Sequence, residues 1–572
     1  MKLLKLTVKN FRGLKGDNNI INFENSDIIF LIGQNNVGKS TFLHAYEYFV
    51  SSKKIALKED FCDYNAERPI EIEGVFLKEE NDDNNEDFLG TGRAQEPEWV
   101  NNWVDEESHV RIKKVWDTIG ADFKKFTYSP STDEWVPNGF GGFASLFQKY
   151  APQPILINAM EDEASLEEKV NKLISEKYLK TIRINNPELY DNAISAIKNL
   201  QNAITSSDNI EQINTDINAH FSEIFNGLRL KIEATKDENI KPEDAFKKNH
   251  TMKVEREDNE RSETFLQNGH GVIRQALFNF IAFMNEHGDG AANNILILFE
   301  EPELFLHPKL IFKLRQSLYD LAQSDSFQVL CATHSPMMID ISKPHSSLIR
   351  VTKSADGTVR TYQAGDDLFA SSDEQKEMVQ MINRMNPHVC EVFYADKVLL
   401  VEGDTEAIVY RHLLKKFYPH SEVYVLNTGS KMNIPFFQKI LTHFRIEHYP
   451  IHDMDTEYLE NGNHNPAWAL NNTIWDLVEQ ANAVQQGLAR RYVHNAYFEN
   501  AHQYKLRHGK DKPLSAYKYA ESITGEEPIP DCLKWLHDIM DDRAISFAPT
   551  VLEANAKTIA SIKAENESFE EL

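Results

Sequence analysis

Residues 28–41 read IIFLIGQNNVGKST. The five apolar residues Ile28 to Ile32 have the length and continuity of a strand buried on both faces. Gly33 to Ser40 then fits G-x-x-x-x-G-K-[ST], and TFLHAYEYFV from Thr41 has helical periodicity. In a strand–loop–helix of this kind the glycines let backbone N–H groups wrap phosphate oxygens. Lys39 neutralises phosphate charge and Ser40 ligates Mg²⁺. Gly33, Asn35, Asn36, Gly38, Lys39, Ser40 and Thr41 are therefore the candidate nucleotide-binding residues.

Working outward, Leu4, Leu6 and Val8 alternate with polar residues as a half-buried strand would. Residues 79 to 109 are rich in Asp, Glu and Asn and read as a solvated insertion. From about 160 to 225 the pattern turns helical. Leu166, Val170, Leu173 and Ile174 share one face, and Ile194, Ile197 and Ile204 another. The pair reads either as a subdomain packed on its own core or as a dimerising arm. The α/β pattern resumes after 261. ILILFEEPE ends a buried strand in Glu300 and Glu301, and FQVLCATHSP ends another in His334. Paired acids at a strand end suit two jobs: Glu300 supports the metal and Glu301 polarises the attacking water. His334 is placed to contact the γ-phosphate.

A second α/β unit begins near 394. KVLLVEG, EVYVLNTG and EHYPIHDMD read as strands, alternating with helices DTEAIVYRHLLKKF and SKMNIPFFQKILTHF. That order predicts a parallel sheet with its site at the strand C-termini. Glu402 ends the first strand, Glu406 follows one helical turn later, and Asp453 and Asp455 end a later strand, with Glu457 beyond. In an extended strand the spacing of two puts Asp453 and Asp455 on one side. Such a cluster repels itself unless divalent cations bind, and oxygen-only ligands favour Mg²⁺, Mn²⁺ or Ca²⁺ over zinc. Two such ions stabilise both the attacking and the leaving oxygen of a phosphodiester.

Composition sets limits. Of 572 residues 88 are acidic and 61 basic, leaving −27. The overall field therefore repels nucleic acid, and any DNA contact must be local. A late stretch around Arg490, Arg491, Lys505, Arg507, Lys510, Lys512 and Lys518 concentrates bases among aromatics, and reads equally as a DNA-backbone surface or a solvated helix face. The four cysteines lie far apart with no C-x-x-C pair, which argues against a zinc ribbon and for reduced cytosolic thiols. The N-terminus lacks the apolar core of a signal peptide and no apolar run is long enough to span a bilayer. The expected location is cytoplasmic, with no membrane partner.

NFRG near the start, GQNNVGKST, EEPELFLHP and THSP together resemble the ABC-type ATPases of the RecF/SMC group. The resemblance implies a nucleotide held between two heads, with a signature loop from the partner completing the site. Here that loop would be LQNGHGVIRQAL, with Asn268, Gly269 and Gly271 at the phosphate and Asn268 in place of the usual serine. E-G-x-x-E followed by D-x-D resembles the Toprim domain, and the combination resembles the OLD (overcoming lysogenization defect) family of nucleases, to which the nuclease subunit of Gabija-type anti-phage systems belongs. The fold implied is α/β: an ABC-type P-loop ATPase head with a helical insertion, then a Toprim domain with a parallel βαβ sheet.

The resemblance carries over Glu402, Glu406, Asp453 and Asp455 as metal ligands, Glu402 also as a catalytic carboxylate, with Gly429 as the small residue between them. It adds a later acid, Glu499, and a late catalytic lysine, Lys512, with Lys510 as rival. The division expected is 1–155 and 256–380 for the head, 156–255 for the insertion, 381–545 for Toprim and 546–572 for an acidic tail. The function implied is an ATP-binding and ATP-hydrolysing, Mg²⁺- or Mn²⁺-dependent DNA endonuclease in anti-phage defence, with ATP activating, inhibiting or assembling it. Its partners would be DNA, further copies of the chain as dimer or tetramer, and in one subclass a helicase-like protein from a neighbouring gene. The alternative is a RecF/SMC-like DNA-bridging ATPase whose carboxylates bind metal structurally. A topoisomerase would need a strand-passage domain with its tyrosine nucleophile, for which the chain has no room, and a primase a zinc module that the sequence does not show.

Overall fold

The computed structural model describes residues 1–52, 54–79, 103–138, 150–160, 294–324, 326–365, 387–459, 461–494, 497–502, 512–526 and 528–540, with isolated positions and two short strands between 161 and 293. One compact unit comprises 1–159 and 288–572, and a second comprises 160–287. In the second, β9 (Lys253–Glu255) and β10 (Ser262–Thr264) form an antiparallel ribbon. The helical faces around Leu166 and Ile194, the loop with Asn268, Gly269 and Gly271, and the tail 546–572 lie outside the described residues.

The first unit begins with an antiparallel sheet in the order β2-β1-β4-β5-β6-β7. Its strands are β1 (Lys2–Lys9), β2 (Ile20–Asn22), β4 (Ile70–Leu77), β5 (His109–Trp116), β6 (Lys124–Ser129) and β7 (Glu134–Pro137). In β1 the buried residues are Leu3, Leu6 and Val8, not Leu4. The register against β4 slips between Leu3 and Lys5, and that bulge reverses which side chains face inward.

The second sheet runs β14-β13-β3-β12-β11-β8. Its strands are β3 (Ile28–Ile32), β8 (Gln153–Ile157), β11 (Ile295–Glu300), β12 (Phe327–Ala332), β13 (Leu348–Lys353) and β14 (Val359–Gln363). All neighbours are parallel except the edge strand β14. Every residue of β3 and β12 is buried, as expected for strands covered on both faces. Helix α1 (Lys39–Val50) buries Phe42, Leu43, Ala45, Tyr46, Phe49 and Val50 in the shared core. Helix α2 (Pro308–Leu321) begins at His307, whose side chain accepts from Lys309 N–H.

The third sheet, β16-β15-β17-β18, is wholly parallel. It comprises β15 (Lys397–Val401), β16 (Val423–Asn427), β17 (Glu447–Asp453) and β18 (Tyr492–His494). Crossovers are made by α3 (Asp404–Phe417), α4 (Ile434–His443) and α5 (Pro466–Val484), and α6 (Phe498–Ala501), α7 (Lys512–Ser522) and α8 (Asp531–Met540) follow. Val401, Asn427, Asp453 and His494 end their strands on one rim, where an open parallel sheet places its site.

Asp453 closes β17, but Asp455 lies past it with φ 66°, so a turn rather than strand alternation brings Asp455 to its position. Arg490 and Arg491 are 5% and 0% exposed and cannot form part of a DNA surface. Arg491 donates to the Asn471 carbonyl and lies over Trp475; Arg490 lies over Tyr449. Lys505, Arg507 and Lys510 lie outside the described residues.

Candidate functional sites: a phosphate loop and a carboxylate rim

The loop after β3 can only be built with glycine at its ends. A Cβ on Gly33, at φ 131°, would sit 2.3 Å from the Val351 carbonyl oxygen on β13, and one on Gly38, at φ 104°, would sit 2.9 Å from Leu14. Asn35 and Asn36 are exposed at the tip, Asn36 in the left-handed region that asparagine tolerates. Ser40 and Thr41 open α1, and Thr41 N–H donates to the Gly38 carbonyl. Lys39 is 3% exposed and folds back over the loop, with Nζ 2.7 Å from both the Gly33 and Gln34 carbonyls. Burial pulls its ammonium down to about 8, although Glu301 and Glu303 oppose that. A phosphate would supply the charge this lysine lacks.

Lys39 Nζ also lies 3.3 Å from His334 Nδ1, and His334 Nε2 lies 3.5 Å from Glu301 Oε1. Burial and the Lys39 charge push the imidazole down to about 4, so it is neutral at pH 7. Facing an ammonium, Nδ1 accepts, which leaves the proton on Nε2 toward Glu301. Glu301 takes a left-handed backbone (φ 43°) after β11. Glu300 turns toward the edge strand, where Oε2 accepts Ala159 N–H at 3.2 Å. The sequence reading missed Glu303. It accepts both the Thr333 hydroxyl and His334 N–H at 2.8 Å, fixing the turn that carries His334. The third acid of E-E-P-E was the available signal.

On the rim of the parallel sheet, Glu402 follows β15 and its Oε1 accepts Asp453 N–H at 2.7 Å. Glu406 lies in the first turn of α3 and is 6% exposed. Asn427 ties β16 to α3 through Asp404, and its Oδ1 accepts Gly429 N–H. Glu499 on α6 lies 3.5 Å from Lys512 at the start of α7. Burial raises Glu402 to about 8. Asp453 rises to about 9, first from burial, then from the charges of Glu402, Glu406, Asp455 and Glu499. Glu406 is raised by burial and by Glu499. The structure thus groups five of the six expected acids electrostatically. Glu457 stands further along the loop and is not among the strongest of these charges; its carbonyl accepts Asn465 N–H.

The donor set suits a hard divalent cation. It is all oxygen, it is too acidic to stay fully ionised alone, and Asp453 Oδ1 is buried with no hydrogen-bond partner among the described residues. As they stand, no three acidic, His or Cys side chains among the described residues converge closely enough to hold an ion. Internal donors occupy the oxygens instead: Asp453 N–H on Glu402, Lys512 on Glu499, and Lys431 on Asp455. Lys431 was also missed, since a lone lysine in NTGSK looks like surface charge.

The two halves of this unit are joined. Arg350 on β13 is 4% exposed and donates to the carbonyls of Phe444, Arg445 and Ala395 and to Asp396 Oδ1, at 3.0–3.3 Å. His443 Nε2 lies 2.7 Å from the Gln363 carbonyl. No described helix is long and apolar enough to cross a membrane.

The family model described as AAA ATPase domain matches residues 1–339, more than half of the chain. The model described as overcoming lysogenization defect protein-like, TOPRIM domain matches residues 393–455. The Old nuclease of Escherichia phage P2 is 26% identical over 450 residues, covering 73% of this chain and 71% of that protein. The endonuclease GajA of Bacillus cereus strain VD045 is 24% identical over 454 residues, covering 76% and 71%. The OLD nuclease of Thermus scotoductus is 26% identical over 162 residues, covering 28% and 30%. With its phosphate loop at a strand C-terminus inside a match over residues 1–339, the chain belongs to the AAA ATPase domain family, and its residues 393–455 are similar to the Toprim domain of overcoming lysogenization defect proteins.

Proposed function

We propose that the protein is a divalent-metal-dependent DNA endonuclease, with Mg²⁺ or Mn²⁺ at the Toprim rim, coupled to ATP binding and hydrolysis in the head and serving in defence against phage. The observation that carries this reading is the grouping of Glu402, Glu406, Asp453, Asp455 and Glu499 on one rim, with the first and third directly bonded.

Divalent cations bound there would stabilise the attacking and leaving oxygens of a phosphodiester. The chain's own part is orientation and charge. The Asp453 N–H fixes the rotamer of Glu402. Lys512, half exposed beside Glu499, is placed to meet a phosphate oxygen entering from solvent. In the head, Glu300 would hold the nucleotide's metal and Glu301 would orient water. His334 holds Glu301 in line with Lys39 through its two ring nitrogens. Head dimerisation with Asn268, Gly269 and Gly271 at the partner's phosphate completes this reading, as does a helicase-like partner.

The test is cleavage of supercoiled plasmid by wild type and Glu402→Ala, in Mg²⁺, Mn²⁺ or EDTA, with and without ATP. Nicking or linearisation by wild type alone, abolished by EDTA, supports the reading. No cleavage by either protein while both hydrolyse ATP would favour the DNA-bridging alternative.

A further inference from the structure

Lys431 lies in a short 3-10 turn, Lys431–Asn433, between β16 and α4, and is 4% exposed. Its ammonium reaches across to the end of β17. There it donates to the Asp453 carbonyl at 2.6 Å, the Met454 carbonyl at 3.3 Å and Asp455 Oδ2 at 2.8 Å. Three N–H bonds thus meet three acceptors, the full capacity of an ammonium.

The choice of acceptors is informative. A lysine serving only as counter-ion would pair with carboxylates, and Glu402 is near enough to feel its charge. Instead two of its three bonds go to consecutive backbone carbonyls. These are the carbonyls of the turn that takes Asp455 into the left-handed region at φ 66°. Two carbonyl dipoles and a carboxylate pointing at one spot repel one another without a cation among them. The Met454 carbonyl has a second holder, Asn471 Nδ2 at 3.0 Å, so the turn is braced from both sides.

We infer that Lys431 is the positioning residue of the D-x-D pair: it shapes the turn after β17 and holds Asp455 so that its remaining oxygen, Oδ1, faces an incoming divalent cation. This rests on reading the rim carboxylates as a cation site. Lys431 acts through Asp455 and does not itself touch substrate. Two of its three bonds go to backbone carbonyls that an ion on the carboxylate would not claim, which sets it apart from a place-holder expelled by the metal.

A positioning residue and a place-holder predict opposite changes in cation affinity. Removing a positive charge from a cation site by itself tightens binding, whereas losing a ligand's orientation weakens it roughly 10–100-fold. The experiment is calorimetric titration of the full-length protein with Mn²⁺ alone, without DNA or nucleotide. It compares wild type, Lys431→Met, Asp455→Asn and the double variant. Lys431→Met is expected to lose affinity within that range, and the double variant to lose no more than Asp455→Asn alone. If wild type binds Mn²⁺ and Lys431→Met binds it equally or more tightly, or if the two losses add, the assignment of Lys431 is overturned. If wild type itself binds no Mn²⁺, the cation-site reading fails instead. Should Lys431→Met fail to fold, Lys431→Arg replaces it. A planar guanidinium keeps the charge but cannot converge on three such acceptors, so the same loss is expected; unchanged affinity in Lys431→Arg would equally overturn the assignment.

Discussion

Gln34 of the phosphate loop donates from Nε2 to Asp396 Oδ2 at 2.7 Å, and its Nε2 also lies 3.3 Å from Glu422 Oε2. Asp396 immediately precedes β15, the strand that Glu402 follows, and its other oxygen accepts from Arg350. A loop shaped to hold phosphate is therefore bonded to the residue just before the strand that leads to a rim carboxylate. Gln34 is therefore the side chain through which a shift of the loop on binding phosphate would reach β15.

Gln34→Ala is expected to keep ATP binding, because the loop's N–H groups and Lys39 remain. The effect of ATP on cleavage, whichever its sign, should shrink by about threefold or more. Cleavage rates with and without saturating ATP measure it; an unchanged ratio would remove Gln34 from the coupling.

Arg350→Met should destabilise the protein by about 2–4 kcal/mol, since it strands three carbonyls that an almost fully buried guanidinium now satisfies. Urea unfolding gives the number. A change under about 0.5 kcal/mol would mean water replaces the guanidinium without cost.

Glu303→Ala leaves the Thr333 hydroxyl and His334 N–H without their acceptor, a cost of about 1–3 kcal/mol. Because that turn presents His334 to Glu301, ATP hydrolysis should fall more than ATP affinity. Equal falls in both would place Glu303 in nucleotide binding instead.

The rim should show a defined pH response. In the cation-free fold Glu402 and Asp453 hold protons up to about 8 and 9, against ordinary values of 4.5 and 3.8. Their folded-state values are raised, so the stability they contribute is complete below pH 4 and is lost as pH climbs through 8 to 9. Protons compete with the cation over the same range. Mn²⁺ affinity should therefore rise between pH 6.5 and 9 and level off above, and Glu402→Gln should flatten the rise. Calorimetry at three pH values decides it; a pH-independent affinity would contradict the proton competition.

Much of this was legible because the decisive signals are local. G-Q-N-N-V-G-K-S needs no partner to be recognised, and α3 runs over Asp404–Phe417, the segment its periodicity marks. What stayed hidden depends on tertiary placement. A sequence gives Lys431 and Arg350 as charges and cannot show that backbone carbonyls surround them. It gives Arg490 and Arg491 as a basic run, although packing on Tyr449 and Trp475 buries both. Asp455 reached the cluster through a turn where alternation had suggested a strand. The bulge in β1 exchanged Leu4 for Leu3 because a register slip leaves no trace in composition.

The central claim is that Glu402, Glu406, Asp453, Asp455 and Glu499 form one cation site. The most direct measurement is anomalous diffraction at the manganese edge from crystals of the protein grown with Mn²⁺. One or two anomalous peaks are expected at the C-terminal rim of β15 and β17, within about 2.0–2.4 Å of carboxylate oxygens from at least three of these residues. A rim without a peak, in crystals whose manganese is seen elsewhere, would contradict it.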